Sequence, residues 1–194
     1  MKKIGITGSQ GSGKTFILNK FASIGVPILI MDKVVKELQL KDNKLILEIK
    51  NRFPEAYLND NSLNKDYLIK ELFYDESGKN LKDMSNIIMP YVNSEIEKFY
   101  KVNKNSKYVI VESALIYEYN MEDMFDDIIY VKSDKNLRKE MAIKRDNITS
   151  EEYDLRMKSQ IPDEVKIEKS RYIITNDYTE KVIEQVVELD LNII

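Results

Sequence analysis

Eight residues, Gly8-Ser9-Gln10-Gly11-Ser12-Gly13-Lys14-Thr15, satisfy the pattern G-x-x-x-x-G-K-[ST] at every constrained position. The residue types suit one task, holding a chain of phosphates. Phosphate oxygens must come within hydrogen-bond reach of backbone N–H groups, and at Gly8, Gly11 and Gly13 no side chain blocks the anion. A helix that follows such a loop turns its unsatisfied N–H groups and the positive end of its dipole toward the same oxygens. Lys14 adds a full charge near the β- and γ-phosphates, and the Thr15 hydroxyl is a ligand for Mg²⁺. Ser12 and Phe16 fall within the same nucleotide-binding stretch. A chance match in a glycine-rich turn is the competing reading. The flanks argue against it, because residues 2–7 read as a short strand and residues 16–21 as the first turns of a helix.

Other candidates are carboxylates and cations at the ends of expected strands. The chain has no histidine and no cysteine, so the usual general base, thiolate metal sites and disulfides are all excluded. Acid–base work falls to carboxylates, lysine or tyrosine. Asp32 directly follows the second strand, where it could orient an attacking hydroxyl and take its proton, or simply cap the next helix. Glu112 stands near the end of the third strand, the place for a carboxylate that helps hold the metal; Glu118 either contributes nearby or is solvated. Lys132, Lys135, Arg138, Lys139, Lys144 and Arg145 face only Asp134 and Glu140 in segment 132–145. Such a segment is either a solvated face or a lid that closes over the triphosphate, with Arg145 beside Asp146 as its catalytic candidate.

These residues need a scaffold that brings strand ends together. Residues 26–31, 107–113, 127–131 and 171–175 read as further strands, and 33–38, 45–53, 135–144, 150–160 and 179–189 as helices. Ser150 is the expected N-cap of its helix. Residues 55–62 are loop-like; 63–104 are helical, with Pro90 placed to kink or divide them. Five strands separated by helices imply an α/β fold, a five-stranded parallel sheet with helices on both faces. A helical insertion covers about 40–105 and a lid about 134–165. In such sheets ligands bind beyond the carboxyl ends of the strands.

The 194 residues suit one such domain. With 30 basic and 33 acidic residues, bulk charge does not point to nucleic acid. No apolar run approaches the ~18 residues of a membrane span, and no secretory signal precedes the first strand, so a cytoplasmic protein is expected. Oligomeric state is not legible.

From the residues outward, the chain resembles the dephospho-coenzyme A kinases. Ile4 to Gly8 with Gly11 to Thr15 is similar to the family's opening, and Asp32-Lys33-Val34-Val35-Lys36 to its second motif, whose aspartate is the base. Residues 63–73 are similar to its helix after the acidic loop, with Lys65 where arginine is usual. Residues 108–118 resemble its third-strand motif, Arg145-Asp146 its lid, and Arg156, Gln160 and Asn176 its C-terminal signposts. The resemblance implies transfer of the ATP γ-phosphoryl group to the ribose 3′-hydroxyl of dephospho-coenzyme A, with Mg²⁺, in coenzyme A synthesis. It implies Lys14, Asp32 and Arg145 as catalytic, Asp32, Lys65, Glu112 and Glu118 on the substrate side, and Thr15 and Glu112 at the metal. Ile30, Phe16, Met89, Ala114 and Met141 depart from the family pattern, and Arg138 stands one turn before Met141. A kinase for another nucleoside, nucleotide or small hydroxyl substrate, or a nucleotide-dependent switch, are the alternatives. The guanine-reading N-K-x-D motif is absent, since Asn64-Lys65-Asp66-Tyr67 has the wrong register.

Overall fold

The computed structural model describes residues 1–179 and 181–193; residue 180, inside the helix expected over 179–189, lies outside the described residues. In chain order the elements are β1 (Lys2–Thr7), α1 (Lys14–Ser23), β2 (Ile28–Ile30), α2 (Met31–Lys41), α3 (Asn43–Arg52), α4 (Lys65–Phe73) and α5 (Lys79–Val102). There follow β3 (Tyr108–Glu112), β4 (Asp127–Lys132), α6 (Lys135–Asp146), α7 (Ser150–Lys158), α8 (Asp163–Lys169), β5 (Tyr172–Thr175) and α9 (Lys181–Ile193). Two compact units result, one of Met1–Ile30 with Tyr100–Ile194 and one of Met31–Phe99.

The first unit is built on a five-stranded sheet of order β2-β3-β1-β4-β5, parallel at every pairing. Alternation along β1 decides what covers each face. Ile4 and Ile6 point to one side and join Ile110, Ile129, Val131 and Ile174 in a core closed by Ile17, Leu18 and Phe21 of α1 and Val182, Val186 and Leu189 of α9. On the other side Gly5 lets Ile116 and Phe125 approach, since an added Cβ would lie 3.0 Å from both. Ile4, Ile6, Ile17 and Phe21 are wholly buried, each worth roughly 1.5–3 kcal/mol by transfer. The inner strands β1, β3 and β4 are largely apolar on both faces because both are covered, whereas Ile173 on edge strand β5 is exposed. β1 lies between β3 and β4, so the chain leaves its carboxyl end at the point where the strand order reverses, and Ile6 pairs with Glu112 there.

The second unit is helical. Leu45, Ile49 and Phe53 pack with Ala56, Tyr57 and Met84 in a separate core, flanked by Leu68, Leu72, Ile88 and Tyr91. Asp42 caps α3 by accepting from the N–H groups of Lys44 and Leu45, and Asn64 caps α4 by accepting from that of Tyr67.

Several elements differ from expectation for local reasons. Helix α5 runs unbroken through Pro90. Pro90 and Asn86 are both exposed, so the carbonyl that loses its donor lies on the solvent side. Strand β2 is shorter than residues 26–31, because Pro27 has no N–H for the ladder and only accepts, from Ile110 at 3.0 Å. Thr149, not Ser150, caps α7: its hydroxyl accepts from the Glu152 N–H at 3.2 Å while Glu152 accepts from the Thr149 N–H at 2.8 Å. Helix α8 was not expected. Among the described residues no helix is long and apolar enough to cross a membrane.

Candidate active site

The loop between β1 and α1 forms a nest of backbone groups. Gly11 and Gly13 have φ of 84° and 82°, which L side chains rarely adopt. A Cβ at Gly11 would run into the Arg138 carbonyl, and one at Gly13 into the Asn176 amide. No side chain caps α1, whose first residue is Lys14, so its leading N–H groups are left for a ligand. The Lys14 ammonium donates to the Gly8 carbonyl at 2.7 Å and the Ser9 carbonyl at 3.3 Å, and lies 3.9 Å from Glu112 Oε1. The Ser12 hydroxyl is buried without a hydrogen-bond partner, as is that of Thr7 at the end of β1. Orphaned donors, an uncapped helix and an ammonium together fit a polyanion. Among the described residues no three His, Cys, Asp or Glu side chains cluster to hold a metal. The Thr15 hydroxyl and the Glu112 carboxylate are oxygen donors of the kind Mg²⁺ takes.

Residues distant in sequence brace this nest. Asn176, just past β5, donates from Nδ2 to the Ser12 carbonyl at 2.9 Å, and the Tyr178 hydroxyl donates to the Gly11 carbonyl at 2.7 Å. Gln10 donates to Asp146 at 2.6 Å. Asp163, the first residue of α8, accepts from the Ser9 hydroxyl at 2.6 Å and from Arg138 at 2.5 Å. The Tyr130 hydroxyl lies close to this carboxylate without reaching hydrogen-bond geometry. Burial alone would raise the Asp163 pKa, but Ser9, Tyr130 and Arg138 outweigh it and hold the carboxyl below the usual range. Burial likewise works against the Arg138 charge, and Asp163 overcomes it.

Breaking this pair leaves an uncompensated guanidinium in a side chain only 9% exposed. Asp163→Asn is expected to cost about 3 kcal/mol at neutral pH. Because the carboxyl binds its proton less readily folded than unfolded, its contribution is complete above the unfolded value of 3.8 and fades as pH falls below it. Thermal melts of wild type and variant at pH 7 and near pH 3 check this: the gap between them narrows in acid. A gap independent of pH would refute it.

The remaining expected residues are placed as follows. Glu112 ends β3 and is 6% exposed, and Thr15 is exposed in the first turn of α1, followed by half-buried Phe16. Arg145 is exposed near the end of α6 and donates to both oxygens of Asp146, at 2.7 and 2.8 Å. Arg138 is bound to Asp163, and Met141 is 43% exposed. Glu118 forms an ion pair with the fully buried Lys166 at 2.6 Å and accepts from the Ile161 N–H at 3.0 Å, while its Oε2 is buried without a partner. Asp32 and Lys65 belong to the second unit. Asp32 is exposed inside the first turn of α2, so it does not cap that helix, and Lys65 is the exposed first residue of α4. Asp163 and Lys166 escaped the sequence reading. The one signal was Pro162 followed by Asp163 and Glu164, a helix start with an acidic first turn.

A family model described as dephospho-CoA kinase matches residues 2–181. The chain belongs to the dephospho-CoA kinase family. A dephospho-CoA kinase of Bacteroides fragilis is 32% identical over 187 residues, 96% of this chain and 90% of its own. Among solved structures, TT1252 from Thermus thermophilus superposes with a TM-score of 0.83 at 24% identity, over 98% of this chain and 96% of its own. A dephospho-CoA kinase from Campylobacter jejuni gives 0.60 at 22% identity, over 99% and 97%. At those identities the two structures speak for the fold alone.

Proposed function

We propose that the protein phosphorylates the ribose 3′-hydroxyl of dephospho-coenzyme A with ATP, giving coenzyme A and ADP. The observation that carries this reading is the nest at the carboxyl end of β1, with Lys14 and an uncapped α1, in a chain of this family. Backbone N–H groups of the loop from Gly8 to Thr15, apart from that of Ser12, which closes the loop on the Ser9 carbonyl, hold the phosphates, and Lys14 exchanges its carbonyl partners for β- and γ-phosphate oxygens. Thr15 and Glu112 would hold Mg²⁺, which when bound would neutralise charge on the phosphate oxygens. Asp32 follows Ile30, the last residue of β2, by two positions. Its carboxylate orients the acceptor hydroxyl and takes the proton as that oxygen bonds to the γ-phosphorus. The bond to the β–γ bridging oxygen breaks, and its electron pair leaves with ADP. Arg145 stabilises the transferring charge from the lid of about 134–165. On the acceptor side, Lys65 meets the substrate's phosphates, and Glu118 offers Oε2 while its other oxygen stays with Lys166. The insertion of about 40–105 carries the acceptor, and the reaction belongs to coenzyme A synthesis in the cytoplasm.

Release of ADP from ATP with dephospho-coenzyme A, measured beside nucleosides and nucleoside monophosphates, tests this. Turnover with dephospho-coenzyme A well above the others is expected. No release above background with it, and turnover of another acceptor, would replace the substrate.

A further inference from the structure

Tyr178 has φ of 61°, the left-handed region, where a bulky side chain is a genuine outlier. Such a conformation persists only where its surroundings over-determine it, and outliers of this kind collect at functional sites. Here the surroundings are the nest. The phenol donates to the Gly11 carbonyl at 2.7 Å, and the Tyr178 N–H donates to Asn176 Oδ1 at 3.0 Å. The ring stands beside Gly13, where an added Cβ would lie 3.2 Å from Cε1. Asn176, thus oriented, donates to the Ser12 carbonyl at 2.9 Å. In a trans peptide the C=O and N–H point opposite ways. Holding the Gly11 carbonyl toward Tyr178 therefore turns the Ser12 N–H the other way, where it closes the loop on the Ser9 carbonyl at 3.1 Å. Holding the Ser12 carbonyl toward Asn176 likewise turns the Gly13 N–H to the side away from Asn176.

We propose that Tyr178 is a positioning residue for ATP: its phenol fixes the Gly11–Ser12 peptide that closes the loop, and its backbone N–H orients Asn176 on the Ser12–Gly13 peptide, so that the nest has its anion-binding shape before the nucleotide arrives. The strained backbone at 178 is retained because it delivers both contacts at once. A glycine would take the same φ freely but could not reach Gly11. This inference rests on the nucleotide reading of the nest and not on which acceptor is used.

Calorimetric binding of a non-hydrolysable ATP analogue with Mg²⁺ to wild type, Tyr178→Phe and Tyr178→Gly tests it, with melting curves and steady-state rates alongside. Tyr178→Phe is expected to raise the Kd for the analogue and the KM for ATP about fivefold, the worth of one neutral hydrogen bond. At saturating ATP, kcat and the KM for the acceptor stay within about twofold, because the contact acts on nucleotide binding alone. Tyr178→Gly, relieved of strain, binds the analogue at least as weakly as Tyr178→Phe and melts no lower. Should Tyr178→Phe fail to fold, the Kd of Tyr178→Gly decides. A wild-type Kd in the folded variants, with changes confined to melting temperature, overturns the proposal. If wild type binds no analogue, the reading of the nest itself falls.

Discussion

Lys14→Met lowers kcat for phosphoryl transfer by roughly a thousandfold, the loss expected when a preorganised charge aimed at the transferring group is removed. Two structural facts make the loss catalytic rather than a failure to fold. The ammonium sits at the mouth of the nest on the carbonyls of Gly8 and Ser9, bonds that a phosphate can replace without any change in the loop. The loop itself is closed by other bonds, from Ser12 N–H to Ser9 and from Asn176 and Tyr178 to the Ser12 and Gly11 carbonyls. Methionine fills a similar volume, so a side chain 10% exposed is exchanged without leaving a void. Lys14→Ala tests the same role with a larger gap. Steady-state rates beside circular dichroism check the result. A folded variant with a near-normal rate would remove Lys14 from the chemistry.

Asp32→Asn is expected to reduce kcat by roughly a hundred- to ten-thousandfold, the range for a positioned general base. The KM for ATP should stay within about twofold, because the side chain is not needed to hold the nucleotide. Asparagine keeps the shape and one acceptor oxygen but cannot take the proton. The residue is exposed in the first turn of α2 and does not cap it, so the substitution has little folding to disturb. Equal losses in kcat and in ATP affinity would point to a structural role and sink the assignment as base.

The nest was legible in the sequence because its constraints are local. Two glycines, a lysine and a hydroxyl residue at fixed offsets, Gly8, Gly13, Lys14 and Thr15, are imposed by phosphate geometry and by a strand and helix on either side. The sheet was legible because a strand covered on both faces reads as a short apolar run, as residues 108–111 do. What braces the nest was not legible. Ser9 meets Asp163 across 154 positions and Gly11 meets Tyr178 across 167, and no periodicity records such pairs. Helix α8 has 7 residues, too few for an apolar stripe to declare itself. The shift of the α7 cap by one residue, from Ser150 to Thr149, shows the same limit, since two adjacent hydroxyl residues compete and only backbone geometry chooses. Pro90 marked a break by its local chemistry, but exposed on a helix whose other side packs in a core it is tolerated.

Titrating nitrogen-15-labelled protein with a non-hydrolysable ATP analogue and Mg²⁺, and following the backbone amide resonances, tests the nest most directly. The largest shifts should fall at Gly8, Gly11, Gly13, Lys14 and Thr15, and should disappear in Lys14→Met at the same nucleotide concentration. Saturable shifts elsewhere in the chain, with those five amides unmoved, would contradict a triphosphate held between β1 and α1.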